Sequence, residues 1–309
     1  MPELDLQQLE LDIFHGQLHP GSAEIYAQLS GRWDAAEAWQ QGWRLVGEID
    51  GPYADSAATL PARLALQDHG RGETLLAHVT LPDPCFWSPE VPLRYQVRVD
   101  LVHQGTPVWS SEQTMGLRQL GLEAGRIQLA HEPWTVIGGE PVPGVAGQLP
   151  TGMVAVVQGS TIDVAASESI ADGWMITLAP AGVIQSELLT LLQSCNSPAN
   201  WCVVLQDGAL DVPRSVAPNL LRGQLFSADE PLLLADWAEI AFVQFSTADD
   251  FASRTADCPL PVVAVGEQPA HAGWDEIRQS CQRLLQQLSA YRQFAGYIVV
   301  RGETAGEMM

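Results

Sequence analysis

Chemistry in this chain falls to its carboxylates, because the other reactive side chains are few and scattered. The seven histidines, at 15, 19, 69, 78, 103, 131 and 271, show no metal-ligand spacing. Cys85, Cys195, Cys202, Cys258 and Cys281 are odd in number and far apart, and no C-x-x-C occurs. They read as buried small hydrophobes in a reducing compartment, not as disulfides or zinc ligands. All fifteen basic residues are arginine. That removes Schiff-base lysine chemistry and the lysine of a phosphate loop. No G-x-S-x-G or G-x-G-x-x-G is present either, so neither a metal nor a cofactor is expected. What remains is 37 acids, two of which, Asp207 and Glu267, stand just past the apolar runs Trp201–Leu205 and Pro261–Val265. Two carboxylates held together can act as acid and base or as nucleophile. Each also reads as a solvated acid at a loop start.

The elements that would position such a pair fall into two regimes. Residues 10–122 read as seven short strands with turn signals between them, such as His19-Pro20-Gly21-Ser22 and His103-Gln104-Gly105. In the sixth, Leu93, Tyr95, Val97 and Val99 alternate with Arg94, Gln96, Arg98 and Asp100, the period of a half-buried strand. Pro89 and Pro92 cannot donate to a ladder and mark its entrance. Residues 123–150 read as a connector. From 151 to 303 the pattern changes to apolar runs: Val154–Val157, Ile162–Ala166, Trp174–Leu178, Trp201–Leu205, Leu221–Phe226, Ile240–Phe245, Pro261–Val265 and Tyr297–Val300. Nearly continuous apolar strands belong to a parallel sheet covered on both faces. Ser186–Leu192 and Trp274–Phe294 read as covering helices. A (β/α)8 barrel takes about 200–250 residues, so a small barrel with several helices reduced to loops is expected.

The run Phe86-Trp87-Ser88-Pro89-Glu90-Val91-Pro92-Leu93-Arg94-Tyr95-Gln96-Val97-Arg98-Val99, followed by Gly116-Leu117-Arg118, resembles the immunoglobulin-like domain of glycoside hydrolase family 2. Family members read W-S-P-E-x-P-x-L-Y-x-V-x-V there, then G-F-R. The resemblance covers residues ~10–140 and extends further only by the order of elements. It implies an immunoglobulin-like β-sandwich followed by a (β/α)8-like barrel. In the family an Asn-Glu at the end of barrel strand 4 supplies the acid/base, and a Glu at the end of strand 7 is the nucleophile. Here the strand-4 end reads Gln206-Asp207-Gly208, and the strand-7 end reads Gly266-Glu267-Gln268 where the family has P-x-x-x-x-E-Y. Asp207 and Glu267 are therefore the candidate pair, with the acid a methylene short and the nucleophile a residue late. The Arg of the family's L-R-G stands as Ile137, and the family's N-terminal jelly-roll domain has no counterpart in this sequence.

The expected function is that of a non-catalytic relative with a carbohydrate-binding or assembly role. The alternatives are a minimal retaining β-glycosidase using Asp207 and Glu267, and a structural, oligomerising scaffold. A formal charge of −22 argues against nucleic acid and anionic membrane as partners. The acidic N-terminus and the lack of a ~20-residue apolar run give a cytoplasmic expectation. Sugar identity and oligomeric state are not readable. The ten tryptophans include Trp134, Trp174, Trp201, Trp237 and Trp274 in the second region, where packing is expected rather than a sugar platform. Trp87, preceding a half-buried strand, is expected in a core. Trp87→Ala should lower the stability of the first region by about 3–5 kcal/mol; a loss below ~1 kcal/mol on thermal denaturation would mark Trp87 as exposed.

Overall fold

The computed structural model describes residues 9–31, 35–55, 58–70, 74–140, 149–158, 173–268, 273–291 and 293–301. The chain divides into two units: Met1–Arg118 with Ala217–Asn219, and Gln119–Val216 with Leu220–Met309.

The first unit is an antiparallel sheet curled around one core. Its strands are β1 (Glu10–His19), β2 (Ser22–Ser30), β3 (Trp43–Tyr53), β4 (Ala62–Asp68), β5 (Leu75–Pro82), β6 (Arg94–His103) and β7 (Thr106–Met115), with helix α1 (Ala35–Gln40) before β3. Their order is β1-β2-β5-β4-β3-β6-β7. Alternation makes the core. β2 buries Ala23, Ile25, Ala27 and Leu29, and β6 buries Tyr95, Val97, Val99 and Leu101, all in one cluster with Leu45 and Ile49. Trp87 is 2% exposed, and its backbone N–H donates to Leu117 O at 2.8 Å. The Tyr95 hydroxyl accepts from Cys85 N at 2.8 Å and donates to Cys85 O at 3.3 Å, tying the segment before β6 to the strand itself.

The sheet curls at β4, which changes partner along its length. Ala62–Leu66 pair with β3, whereas Gln67 and Asp68 pair with β5. That switch leaves the start of β3 without a ladder partner on this side. Asp68 fills the gap: one carboxylate oxygen accepts from Leu45 N at 2.9 Å, the other from the Trp39 indole N–H at 3.1 Å. At the far margins, Gln113 Nε2 donates to Leu11 O at 3.3 Å, bringing β7 alongside β1.

The second unit begins with a small antiparallel sheet, β8 (Leu120–Glu123), β9 (Arg126–Leu129) and β10 (Glu132–Pro133). Eight parallel strands then close into a barrel: β11 (Val136–Gly139), β12 (Val154–Gln158), β13 (Trp174–Leu178), β14 (Asn200–Leu205), β15 (Leu221–Phe226), β16 (Ile240–Gln244), β17 (Val262–Gln268) and β18 (Phe294–Arg301). Among the described residues, the helices of this unit are α2 (Gln185–Ser194), α3 (Ala248–Thr255) and α4 (Trp274–Leu288).

As expected, several helices of a (β/α)8 arrangement are reduced to loops: the connections over residues 206–220 and 227–239 carry no helix. Pro213, Pro218 and Pro231 interrupt them, each without an N–H to donate. One expectation is corrected here. The first barrel strand, β11, lies inside the stretch 123–150 read as connector. Four residues ending in Gly138-Gly139 give too short an apolar run to register as a strand. The Ile162–Ala166 run, expected as a strand, lies outside the described residues. Trp201–Leu205 and Pro261–Val265 nonetheless fall on the fourth and seventh barrel strands, as expected.

Asp68→Ala removes the acceptor that Leu45 N and the Trp39 indole N–H share at the β4 switch. The substitution should cost about 1–3 kcal/mol. A chemical-denaturation midpoint unchanged from the parent would show that water replaces the carboxylate there.

Candidate functional site at the barrel mouth

Which side chains reach the barrel lumen follows from packing and register. Val262, Ala264, Tyr297 and Val299 lie in one cluster with Ile277, Cys281 and Leu288 of α4, so they face outward. Their alternates Val263, Val265, Ile298 and Val300 therefore face the lumen. In a parallel ladder paired residues point the same way, and the pairing carries this assignment round the ring. Gly296 pairs with Val136, Gly138 with Val154, Val156 with Ile176, and Val263 with Phe242. The lumen is a packed core. A Cβ on Gly223 would sit 2.6 Å from Phe242 Cδ2 and 3.2 Å from Val204 Cγ2, so the ring of Phe242 occupies the space a side chain there would need.

At the opposite, N-terminal end of the strands, aromatic rings pack together. Trp134 lies 5.6 Å from Trp174 and 5.3 Å from Trp201, centroid to centroid. Trp174 and Trp201 stand at the starts of β13 and β14, and the three rings belong to packing. Cys195, Cys202, Cys258 and Cys281 are buried, and burial pushes their thiols up, away from the reactive thiolate.

At the C-terminal mouth the polar side chains appear. Glu267 lies within β17, opposite Val300, on the lumen-facing register. It is exposed. The preceding position faces out. There a Cβ on Gly266 would fall on the hydroxyl of Tyr297, a residue 3% exposed, so position 266 has room for glycine alone. Asp207 lies two residues past the end of β14, at the start of a loop. Its Oδ1 accepts from Ala209 N at 2.8 Å, an Asx turn that opens the next loop.

Among the described residues, a carboxyl on the same lumen register as Glu267 is that of Glu140, a residue absent from the sequence-based expectations. Its N–H donates to Val299 O at 3.1 Å, which continues the β11–β18 ladder one rung and sets Glu140 beside Val300. Glu267, Val300 and Glu140 therefore stand at one level on three adjacent strands. At ~4.8 Å per strand, the two acidic residues are roughly 10 Å apart along the backbone. Glu140 is 6% exposed. Burial pushes its carboxyl up; the Arg301 backbone N–H, the Arg301 charge and the Gln158 amide act the other way. Gln158 and Gln244 carry the lumen register as well, so the mouth offers two amides and two carboxyls. The signal that would have found Glu140 is a carboxylate directly after a glycine pair at a strand end.

Neither a protein-family model nor a curated protein matches the sequence. Solved structures do. A structure from Bacteroides fragilis assigned as a β-galactosidase matches at 14% identity and TM-score 0.57, covering 94% of this chain and 54% of that one. The Bifidobacterium dentium β-glucuronidase complexed with coumarin-3-O-glucuronide matches at 10% identity and TM-score 0.58, over 94% and 59%. The β-D-glucuronidase of Dictyoglomus thermophilum matches at 10% and 0.57, over 96% and 62%. This chain thus spans between half and two thirds of the length of each, and it has the fold that these β-galactosidase and β-glucuronidase structures share.

A carboxyl whose folded value lies above its unfolded one holds its proton more tightly when folded. It favours the fold at pH below the unfolded carboxylate range, and that advantage is lost as pH rises through the folded value. Glu140→Gln keeps an acceptor for Arg301 N without the buried charge. Its thermal midpoint should exceed the parent's at pH 8, and the difference should shrink towards pH 4. A variant less stable than the parent at pH 8 would mean that the charge itself holds the seam.

Proposed function

We propose that this chain is a non-catalytic relative of the family 2 glycoside hydrolases whose barrel mouth holds a carbohydrate. On this reading the first unit is an immunoglobulin-like sandwich. The Tyr95 hydroxyl bonded back to Cys85 has the form of the tyrosine corner of such domains. The second unit is a (β/α)8 barrel that has lost several helices. A retaining pair needs its carboxyls about 5–5.5 Å apart. The observation that carries the non-catalytic reading is that Asp207 lies past the end of β14 with its carboxylate engaged in its own turn. Hydroxyl-rich ligands suit what the mouth offers instead, since the amides of Gln158 and Gln244 both donate and accept.

One observation favours a second reading. Glu140 and Glu267 share the lumen face, and burial pushes the Glu140 carboxyl up, in the direction a general acid requires. Their separation by two strand spacings suits the ~6.5–9.5 Å of an inverting pair better than the shorter retaining distance.

Hydrolysis of a panel of aryl β-glycosides at pH 4–8 separates the readings. No turnover above buffer is expected. Turnover abolished by both Glu267→Gln and Glu140→Gln would establish the inverting hydrolase. Turnover abolished by Glu267→Gln and Asp207→Asn would instead restore the minimal retaining pair.

A further inference from the structure

We infer that the first unit holds a carbohydrate site of its own: a hollow of about 510 Å³ at the β3–β4 split that takes a neutral saccharide. Small-molecule sites span ~300–1,000 Å³. All the residues that line the hollow belong to the first unit, so it does not depend on the reading of the barrel mouth.

The sheet makes the hollow by parting. β4 leaves β3 after Leu66 and pairs with β5 at Gln67 and Asp68. Leu45, Ile49, Leu66, Val97 and Val99 face the core, so their alternates on β3, β4 and β6 stand on the outer face. There Ala65, Glu48 and Arg98 form one row, because Glu48 pairs with Ala65 on one side and with Arg98 on the other. Val46 and Asp100 form the next pair along. Val46, Gly47 and Ala65 give the hollow its small apolar lining, and Glu48, Gln67 and Arg98 give it its polar one.

Those three polar side chains have hydrogen-bonding capacity to spare. Glu48 meets the Arg63 guanidinium at 3.9 Å, beyond hydrogen-bond range. Arg98 holds its Nε 3.4 Å from Asp100 Oδ1, and among the described residues its terminal nitrogens meet no acceptor. Gln67 is exposed, and its amide has no partner among the described residues. The hollow therefore presents an acceptor, a fork of donors and an amide that does both. Sugar hydroxyls, each able to donate and to accept, match that set. An anion would meet a like charge in Glu48, and a cation would meet one in Arg98. A small zwitterion would rest on ion pairs with exposed partners, which contribute little. The C–H face of a sugar ring also suits Val46 and Ala65, which a charged ligand does not use.

The test is amide NMR of the isotope-labelled full chain, titrated with neutral gluco-, galacto-, xylo- and manno-oligosaccharides. Saturable shifts are expected at Val46–Glu48, Ala65–Asp68 and Arg98–Asp100. Ala65→Trp, at an exposed strand position that accepts an aromatic, fills the hollow and should weaken this binding at least about tenfold. Glu48→Ala should weaken it in the same direction, and Glu48→Ala with Arg98→Ala carries the test if Ala65→Trp does not fold. Saturable shifts confined to Glu140, Gln158, Gln244 and Glu267 would overturn this inference and leave the barrel-mouth reading standing. No shift with any saccharide would overturn both. Binding at the hollow untouched by the substitutions would overturn the inference, and so would free glycine or free arginine saturating the hollow at lower concentration than every saccharide.

Discussion

A parallel barrel closes only if its last strand returns to its first in register, and here that return is narrow. β11 is four residues long; it pairs with β18 over four positions and with β12 over two. Everything at the mouth depends on this seam. Closure makes the alternation of each strand absolute, since a side chain points either into the lumen or out of it. A one-residue displacement along any strand exchanges the two faces. Glu140 sits at the seam: its N–H adds a rung to the β11–β18 ladder, and its carboxylate accepts the next donor, Arg301 N. Gln158 reaches the same carboxyl from β12. One acidic side chain thus touches both neighbours of the shortest strand and is also a lumen-facing charge.

The filling of the lumen limits what the mouth can do. Phe242 projects across the space left by Gly223, and apolar side chains occupy the lower positions, so polar chemistry is confined to the rim. The outer wall is equally committed. Tyr297 lies against Gly266 and excludes any larger residue there, and α4 covers Tyr297 and Val299. A carboxylate on β17 therefore has one place to stand at this level, position 267. In the first unit a different local interaction has the same standing. The sheet curls around its core because β4 changes partner, and Asp68 satisfies the backbone N–H that the change exposes. A sheet that splits must supply acceptors at the split, because an unpaired buried N–H costs about as much as a whole hydrogen bond contributes.

By itself the sequence determined the local features. The Leu93–Asp100 alternation specified β6 and its core face, the prolines before it specified where the strand enters, and the continuous apolar runs specified a parallel sheet and the places of its fourth and seventh strands. The absence of an Asn-Glu after Leu205 was legible too, and so was the absence of lysine. Those are properties of neighbouring residues and of composition. The tertiary structure alone decided that Val136–Gly139 is a strand, that Asp207 lies in a turn beyond its strand, and that Glu140 joins Glu267 on the lumen register. Glu140 and Glu267 are far apart in the chain and are brought to one level only when β18 pairs with both β11 and β17. Facing in a closed ring is set by register around the whole circuit, and register is fixed by non-local packing of the lumen, which no local pattern encodes.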